Sequence, residues 1–379
     1  MIYLDNAATS WPKPERVYQA ADRVFRLDSG NPGRSGHKLS LAAGRHIENT
    51  RLLAARLFNA PAPDTIVFTM NATDALNLAV KGVLAPGDHV IASSMEHNSV
   101  ARPLEALKGR GVEYTKVKTS PLTGANPQDV ITAIRSNTRL VAMTHVCNVT
   151  GTENPVAEIG ALCRKRGILF LVDAAQSAGN RVIDVQGMNI DLLAFPGHKG
   201  LLGPQGTGGL YIREGLVLSP LREGGTGSRS EELAQPRDSP GRYESGTANT
   251  PGIAALGEGI SHVLEEGTLS ICEKEAALAS LLIEGLKGIA GVTIYGPGPG
   301  KTRSGTVSIN LDSLDPAQAA MILDSSFDIA VRSGLHCAPD AHRVIGTLRS
   351  GGTLRISVGC FNTEDDINKC LEAIKELLV

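Results

Sequence analysis

Aromatic side chains are scarce in this chain: 4% of 379 residues, with one tryptophan. Glycine is abundant, at 42 residues, which suits an α/β enzyme with many tight turns. Neither sign of charge predominates. The formal net charge is −2 and lysine and arginine are scattered, so composition gives no support for nucleic acid or an anionic membrane as a partner. The six cysteines (Cys147, Cys163, Cys272, Cys337, Cys360 and Cys370) form no CxxC pair. A structural disulfide set or a zinc site is therefore not expected, no metal is assigned, and most of the six read as small core residues. No apolar run is long enough to span a bilayer. The opening residues, Met1 to Asp5, lack the basic start and apolar core of a signal peptide, and a cytoplasmic location is the default expectation. The length allows two domains, or one large α/β unit with a smaller one.

What is present begins with Asp191 to Pro204. A short apolar run, Leu192 to Phe195, ends in a turn rich in glycine and proline that holds one lysine, Lys199. A second apolar run, Gly209 to Ile212, follows, so the segment reads as strand, tight loop, strand. On residue type alone, a loop lysine is most often solvated. Here it sits between a histidine and glycines, with apolar runs on both sides. Near a buried site its amine would be desolvated, its pKa lowered, and it would be usable as a Schiff-base nucleophile. Upstream, Ile168 to Val172 are five consecutive apolar residues, as in a strand buried on both faces of a parallel sheet. Asp173 stands at the carboxyl end of that strand, where open α/β sheets bind ligands. A buried carboxylate needs a cationic partner or several hydrogen bonds, and a pyridinium nitrogen is one such partner. An aspartate for a pyridinium and a lysine for an aldehyde are the pair that pyridoxal 5'-phosphate (PLP) requires.

Taken in order, the chain starts with a short strand-like lead. Pro12 and Pro14 flank the start of a helix with Val17, Ala20, Ala21, Val24 and Phe25 at helical spacing. Asp28 to Gly36 is loop, and a helical pattern runs from Leu39 to about Phe58. Thr65 to Thr69 reads as a strand, and Ala72-Thr73 opens a helix. Thr73 there either caps the helix or holds a phosphate through backbone N–H groups and its hydroxyl. A strand over 89–93 precedes His97, and a strand over 139–144 precedes Asn148. Another strand lies at 113–117, with helices at 127–135 and 157–165. This alternation implies βαβ units and a parallel-rich sheet. Thr73, His97, Asn148 and Asp173 each follow a strand, which argues for one shared site. Gly224 to Pro240 is polar and rich in glycine and proline, and reads as an exposed or mobile loop. Residues 253–289 are mostly helical and contain a domain boundary. Strands at 292–295, 306–311 and 355–358 and helices at 317–323 and 363–378 make an α+β C-terminal part. The expected division is 15–254 as a large α/β domain and 1–14 plus 255–379 as a small one.

Val331 to Pro339 places Cys337 in a loop flanked by glycine and proline, near Arg332 and His336. A lone cysteine is usually an inert core thiol, but cationic neighbours would lower its pKa and make it nucleophilic. Together with segments elsewhere in the chain, this loop carries a resemblance. Tyr3-Leu4-Asp5-Asn6-Ala7-Ala8-Thr9, Asp173-Ala174-Ala175-Gln176, Gly197-His198-Lys199, Tyr243-Glu244-Ser245-Gly246-Thr247, Arg332-Ser333-Gly334-Leu335-His336-Cys337 and Leu354-Arg355-Ile356-Ser357 resemble the motifs of class V aminotransferase-like PLP enzymes. They most resemble those of the cysteine desulfurases, along essentially the whole chain and in the right order. The short cysteine loop is similar to that of the second, SUF-type group, and the longer Ser-rich loop of the first group is absent.

The resemblance implies an aspartate aminotransferase-like PLP transferase of fold type I: an α/β protein with a mostly parallel central sheet and a smaller α+β C-terminal domain that carries the cysteine loop. It implies that Lys199 bears PLP, His97 stacks on its ring and Asp173 keeps its pyridine nitrogen protonated. Gln176 and Asn148 would lie near the phenolic oxygen, and Ala72, Thr73 and His198 at the phosphate. Thr247 would reach the neighbouring protomer's phosphate, which makes an obligate homodimer with composite sites. Arg355, with Arg332 and Asn148, would hold the carboxylate of L-cysteine, since a guanidinium fork matches a carboxylate. Cys337 would take the substrate sulfur as a persulfide, release alanine and pass sulfur to an acceptor protein for iron–sulfur clusters or thio-cofactors. One departure stands out. Many relatives have serine where this chain has Pro196, and proline offers the phosphate neither a hydroxyl nor an N–H. Selenocysteine lyase, cysteine sulfinate desulfinase, another class V aminotransferase-type reaction and a non-catalytic sulfur carrier remain as alternatives, since fold alone does not fix function.

Overall fold

The computed structural model describes residues 1–33, 35–227, 231–300 and 303–378. Seven strands build the central sheet: β1 (Ile66–Thr69), β2 (His89–Ser93), β3 (Glu113–Val117), β4 (Thr138–Thr144), β5 (Leu169–Asp173), β6 (Leu192–Pro196) and β7 (Gly208–Ile212). Their spatial order is β1-β7-β6-β5-β4-β2-β3. From β3 to β6 all neighbours are parallel, whereas β7 runs antiparallel to both β6 and β1. The apolar runs explain the layering, because successive side chains leave a strand on opposite faces. Phe170 and Val172 of β5 join one core with Phe58, Phe195 and Leu256, while Leu169 and Leu171 join the other with Leu76, Leu104 and Leu210. Both faces are buried under helices, as a parallel sheet requires.

A second, antiparallel sheet holds β8 (Val292–Tyr295), β9 (Thr306–Leu311), β10 (Arg332–Gly334) and β11 (Thr353–Ser357) in the order β8-β9-β11-β10. Helices Thr268–Lys287, Pro316–Phe327 and Glu364–Glu376 share its core. The lead Ile2–Tyr3 pairs in parallel with Ile329–Ala330, and Leu4 is fully buried in this same core. The start of the chain therefore belongs with its end.

Several details differ from the sequence reading. The helical stretch after 253 is two helices, Thr250–Glu266 and Thr268–Lys287, broken at Gly267, whose φ of 82° suits glycine. Helix Pro316–Phe327 starts at a capping box made by Asp315 and Gln318 and runs past its apolar pattern to Asp328, a left-handed C-cap. Between 224 and 240, residues 231–234 are exposed but Pro236 is buried, and Gln235 Nε2 donates to Arg242 O (3.0 Å) and Ser245 Oγ (2.8 Å). Residues 228–230 of that segment lie outside the described residues. No helix among the described residues is long and apolar enough to cross a membrane.

Candidate active site

The carboxyl ends of β2, β4, β5 and β6 converge on one cavity, lined among others by Thr73, His97, Asn148, Asp173, Gln176 and Lys199. Ala72, Pro196 and His198 line it too. Of the residues singled out in the sequence, the chain itself brings nine to this cavity.

Lys199 owes its place to the reversal from β6 to β7. Gly197 N donates to Thr207 O (2.8 Å), Gly203 N to Gly197 O (2.8 Å) and Leu202 N to Lys199 O (2.8 Å), which folds the loop tightly. Side chains are excluded on either side of the lysine: a Cβ on Gly197 would lie 2.1 Å from Thr207 Oγ1, and one on Gly200 2.4 Å from Ala178 O. Burial, then the nearby Arg355 charge, hold the Lys199 amine down at about 8, with Asp173 opposing. Asp173 is 2% exposed, and burial pushes its carboxyl up. Its hydrogen bond among the described residues is from Ala175 N–H (2.9 Å).

Thr73 does not cap its helix. Asn71 does so, accepting from Asp74 N (2.9 Å), which leaves the Thr73 hydroxyl at the cavity, 2.7 Å from Ser99 Oγ. His97 caps helix Asn98–Lys108, with Nδ1 accepting from Ser99 N (3.1 Å). Burial first, then the Lys199, Arg332, Arg355 and Arg102 charges, press His97 down to about 4, so its ring is neutral at pH 7. His198 is pressed down to about 4 by burial, and its buried Nδ1 has no partner. Its carbonyl accepts from Ser10 N and Thr9 Oγ1, both at 3.0 Å. The amides are partly engaged within the protein: Gln176 Nε2 donates to Ala7 O (2.9 Å) and Asn148 Nδ2 to His336 O (2.7 Å).

Arg355, on β11, is 1% exposed. Its Nη1 donates to Asn148 O (3.1 Å) and its Nη2 to Asp5 Oδ1 (2.8 Å), while buried Nε has no partner. Sequence reasoning missed Asp5 as a site residue, although it lies inside the Tyr3–Thr9 motif. It also missed Glu96, next to His97. Glu96 Oε1 accepts from Ser93 Oγ (2.5 Å) and Thr144 N (3.0 Å), and burial pushes its carboxyl up to about 8. Only the full buried geometry marks this residue, since an acid after a strand is an ordinary surface feature.

Cys337 is exposed, whereas Cys147, Cys163 and Cys370 are buried and Cys272 and Cys360 are half-buried. Its Sγ lies 3.7 Å from Arg332 Nη2. His336, expected from the sequence as a second cationic neighbour of this thiol, is not one. His336 is 2% exposed, its Nε2 faces Thr353 O (3.1 Å) and Oγ1 (3.0 Å), and burial pushes it down to about 2. It is neutral and fixes the loop instead. His336 and Cys337 are consecutive left-handed residues, with φ of 48° and 58°. Non-glycine residues enter this region at a cost of about 1–2 kcal/mol each. Asn148 grips the His336 carbonyl, and Asn98 N donates to Cys337 O (2.8 Å), so both strained peptides are pinned from the large sheet's side.

Thr247 stands apart. It is exposed and lines a different cleft with Phe68, Met70, Arg222 and Asn249.

The donor set fits PLP. Asp173 is a buried carboxylate on the cavity that Lys199 also lines, His198 Nδ1 is a buried polar atom without a partner among the described residues, and Thr73 lies at a helix N-terminus, where phosphates are held. Pro196 ends β6 at the cavity and offers no donor, while Thr73 and Ser99, which also line the cavity, bear hydroxyls.

Comparison with known proteins gives the family. The family model "Aminotransferase class-V" matches residues 2–370. A probable cysteine desulfurase of Methanothermobacter thermautotrophicus is 36% identical over 99% of this chain and 94% of its own length. A cysteine desulfurase of Salmonella choleraesuis is 33% identical over 100% of this chain and 93% of its own. Among solved structures, the apo cysteine desulfurase of Thermococcus onnurineus NA1 superposes with a TM-score of 0.93 at 34% identity, covering 100% of this chain and 94% of that one. The chain thus belongs to the class-V aminotransferase family and stands among its cysteine desulfurases.

Proposed function

We propose that this chain is a PLP-dependent cysteine desulfurase that converts L-cysteine to L-alanine and carries the sulfur as a persulfide on Cys337. The observation that carries the reading is the exposed Cys337 thiol beside Arg332, on a loop pinned by Asn148 and Asn98, in a groove that shares Thr73, His97 and Ser99 with the Lys199–Asp173 cavity. Lys199, Asp173, His97, Thr73, Ala72, His198 and Gln176 would hold the cofactor, which when bound supplies an electron sink for the substrate's Cα. The remaining work falls to the protein. Arg355 takes the substrate carboxylate, which competes with Asp5 for the guanidinium. The amine of Lys199, held down at about 8, moves a proton at Cα. The Cys337 thiolate attacks the substrate sulfur: an S–S bond forms, the C–S bond breaks, and alanine leaves. Arg332 stabilises the thiolate.

In this reading Thr247 completes the phosphate site of a second copy, so the working unit is a homodimer. The cleft that Thr247 lines, away from its own chain's cavity, supports that role. The PLP-binding domain of this reading runs past the expected boundary at 254, because Ile253, Leu256 and Ile260 of helix Thr250–Glu266 pack in the central sheet's core. Residues 1–14 with 267–379 form the domain that brings Cys337. The reading further places the enzyme in the SUF-type group and in the cytoplasm, with a protein as sulfur acceptor. Equimolar alanine and sulfide from L-cysteine with a reductant, lost in both Cys337→Ala and Lys199→Ala, is the expected result. Activity that survives Cys337→Ala would overturn the persulfide step and point to selenocysteine or cysteine sulfinate as substrate.

A further inference from the structure

Outside the cofactor cavity, Cys337 opens onto a broad surface groove that runs between helices Ala72–Val83 and Asn98–Lys108. Its lining includes Thr73, Asn77, Lys81, His97, Arg102 and Cys337. The charges here are one-sided. Lys81 and Arg102 are exposed, and neither has an ion-pair partner among the described residues. Arg332 adds a third cation at the thiol itself, with Nη2 3.7 Å from Sγ. Among the described residues, no acidic one lines the groove. The acids on the neighbouring surface are already engaged: Asp74 with Arg222 (2.7 Å), Asp340 with Lys116 (2.5 Å) and Arg343, and Glu105 with Tyr114 OH (2.5 Å).

We infer that this groove is the docking surface for the sulfur acceptor, and that it selects an acidic segment carrying the acceptor's thiol. The inference rests on the desulfurase reading above and goes further, by assigning a place and a charge to the partner. Electrostatics favours it twice. Unpaired cations at the rim of a contact raise the association rate of an anionic partner and reject a cationic one. The attacking group is itself an anion. The acceptor thiolate attacks the outer sulfur of the Cys337 persulfide and forms a new S–S bond. The bond between that sulfur and Cys337 Sγ breaks, and its electron pair leaves on Sγ as a thiolate. The proton of the persulfide goes with the transferred sulfur, so charge and atoms balance. Arg332 sits where the leaving thiolate forms.

The test uses the full-length holoenzyme and probes that need no turnover. The bimolecular rate of Cys337 labelling is measured with a dianionic aryl disulfide and with a neutral dipyridyl disulfide, after subtraction of the Cys337→Ala background. Lys81→Glu combined with Arg102→Glu should slow the dianionic probe about 10-fold at low salt and leave the neutral probe within about two-fold. High salt should erase the difference. Equal slowing of both probes, or of neither, overturns the charged-groove assignment whatever the enzyme's turnover. Loss of desulfurase activity with the charge selectivity intact would instead overturn the reading of function and leave the groove's preference standing. A second arm supplies thiol peptides as sulfur acceptors. A Glu-rich cysteine peptide should accelerate alanine release more than a Lys-rich one in the wild type, and the order should reverse in the double variant. An unchanged order in the double variant would overturn the docking role.

Discussion

At the scale of single residues, the site depends on charges held out of water in pairs. Asp5 is the carboxylate within bonding distance of buried Arg355. Removing one partner of such a pair leaves an uncompensated buried charge, which costs about 3–5 kcal/mol. Asp5→Ala should therefore lower the urea midpoint substantially, and added substrate carboxylate should recover part of the loss. Unchanged stability would show that Arg355 finds another anion. Glu96 yields a prediction about pH. Its carboxyl ionises near 4.3 in an unfolded chain but only near about 8 in the fold, so the folded state holds the proton longer. The sign follows: its stability is intact below about 4.3 and is lost as pH rises towards about 8, at roughly 1.4 kcal/mol per pH unit. Glu96→Gln removes that slope. The melting temperature of the variant relative to wild type should rise between about pH 5 and pH 8, and a constant difference would refute the assignment. Lys199, Asp173 and Cys337 were legible in the sequence, because each sits in a motif with its own chemical logic. Asp5 and Glu96 were not, since their importance comes from partners distant in the chain and from complete burial.

At the scale of elements, the turn from β6 to β7 is set by close backbone approaches around Lys199. A methyl at Gly200 would have to occupy space 2.4 Å from Ala178 O, and that neighbour is backbone that cannot swing away. Gly200→Ala should destabilise the protein by about 1–3 kcal/mol and shift the Lys199 loop. The readouts are denaturant unfolding and the affinity of the protein for PLP, and neither should move if the loop has slack. The periodicities of strands and helices were readable because burial on both sheet faces leaves continuous apolar runs. The sequence did not disclose the break at Gly267 or the two left-handed residues at 336 and 337, which are backbone choices imposed by packing. The helix Glu15–Leu27 buries Val17 and Val24 but leaves Tyr18 and Phe25 46% and 68% exposed on the surface. Trp11, Leu27, Leu39 and Leu41 are exposed as well.

At the scale of the whole molecule, a composite dimer makes a quantitative forecast. Lys199→Ala protomers mixed with Thr247→Val protomers, after reversible dissociation, would give dimers with one intact site in about half the population. Activity should then recover to roughly a quarter of wild type. No recovery would mean that each protomer supplies its own Thr247. The overall layering was legible from the alternation of strand and helix. The tie between the two ends of the chain was only suggested, since a two-residue strand such as Ile2–Tyr3 carries almost no pattern. That tie sets an order of assembly. Asp5 and Arg355 are 350 positions apart, so a ribosome releases the carboxylate long before the guanidinium that needs it. Throughout synthesis the leading segment has no sheet to join and the large sheet has no finished mouth. The Asp5–Arg355 pair, and with it the bridge from Asp5 to Ser357, therefore forms only once β11 has been made.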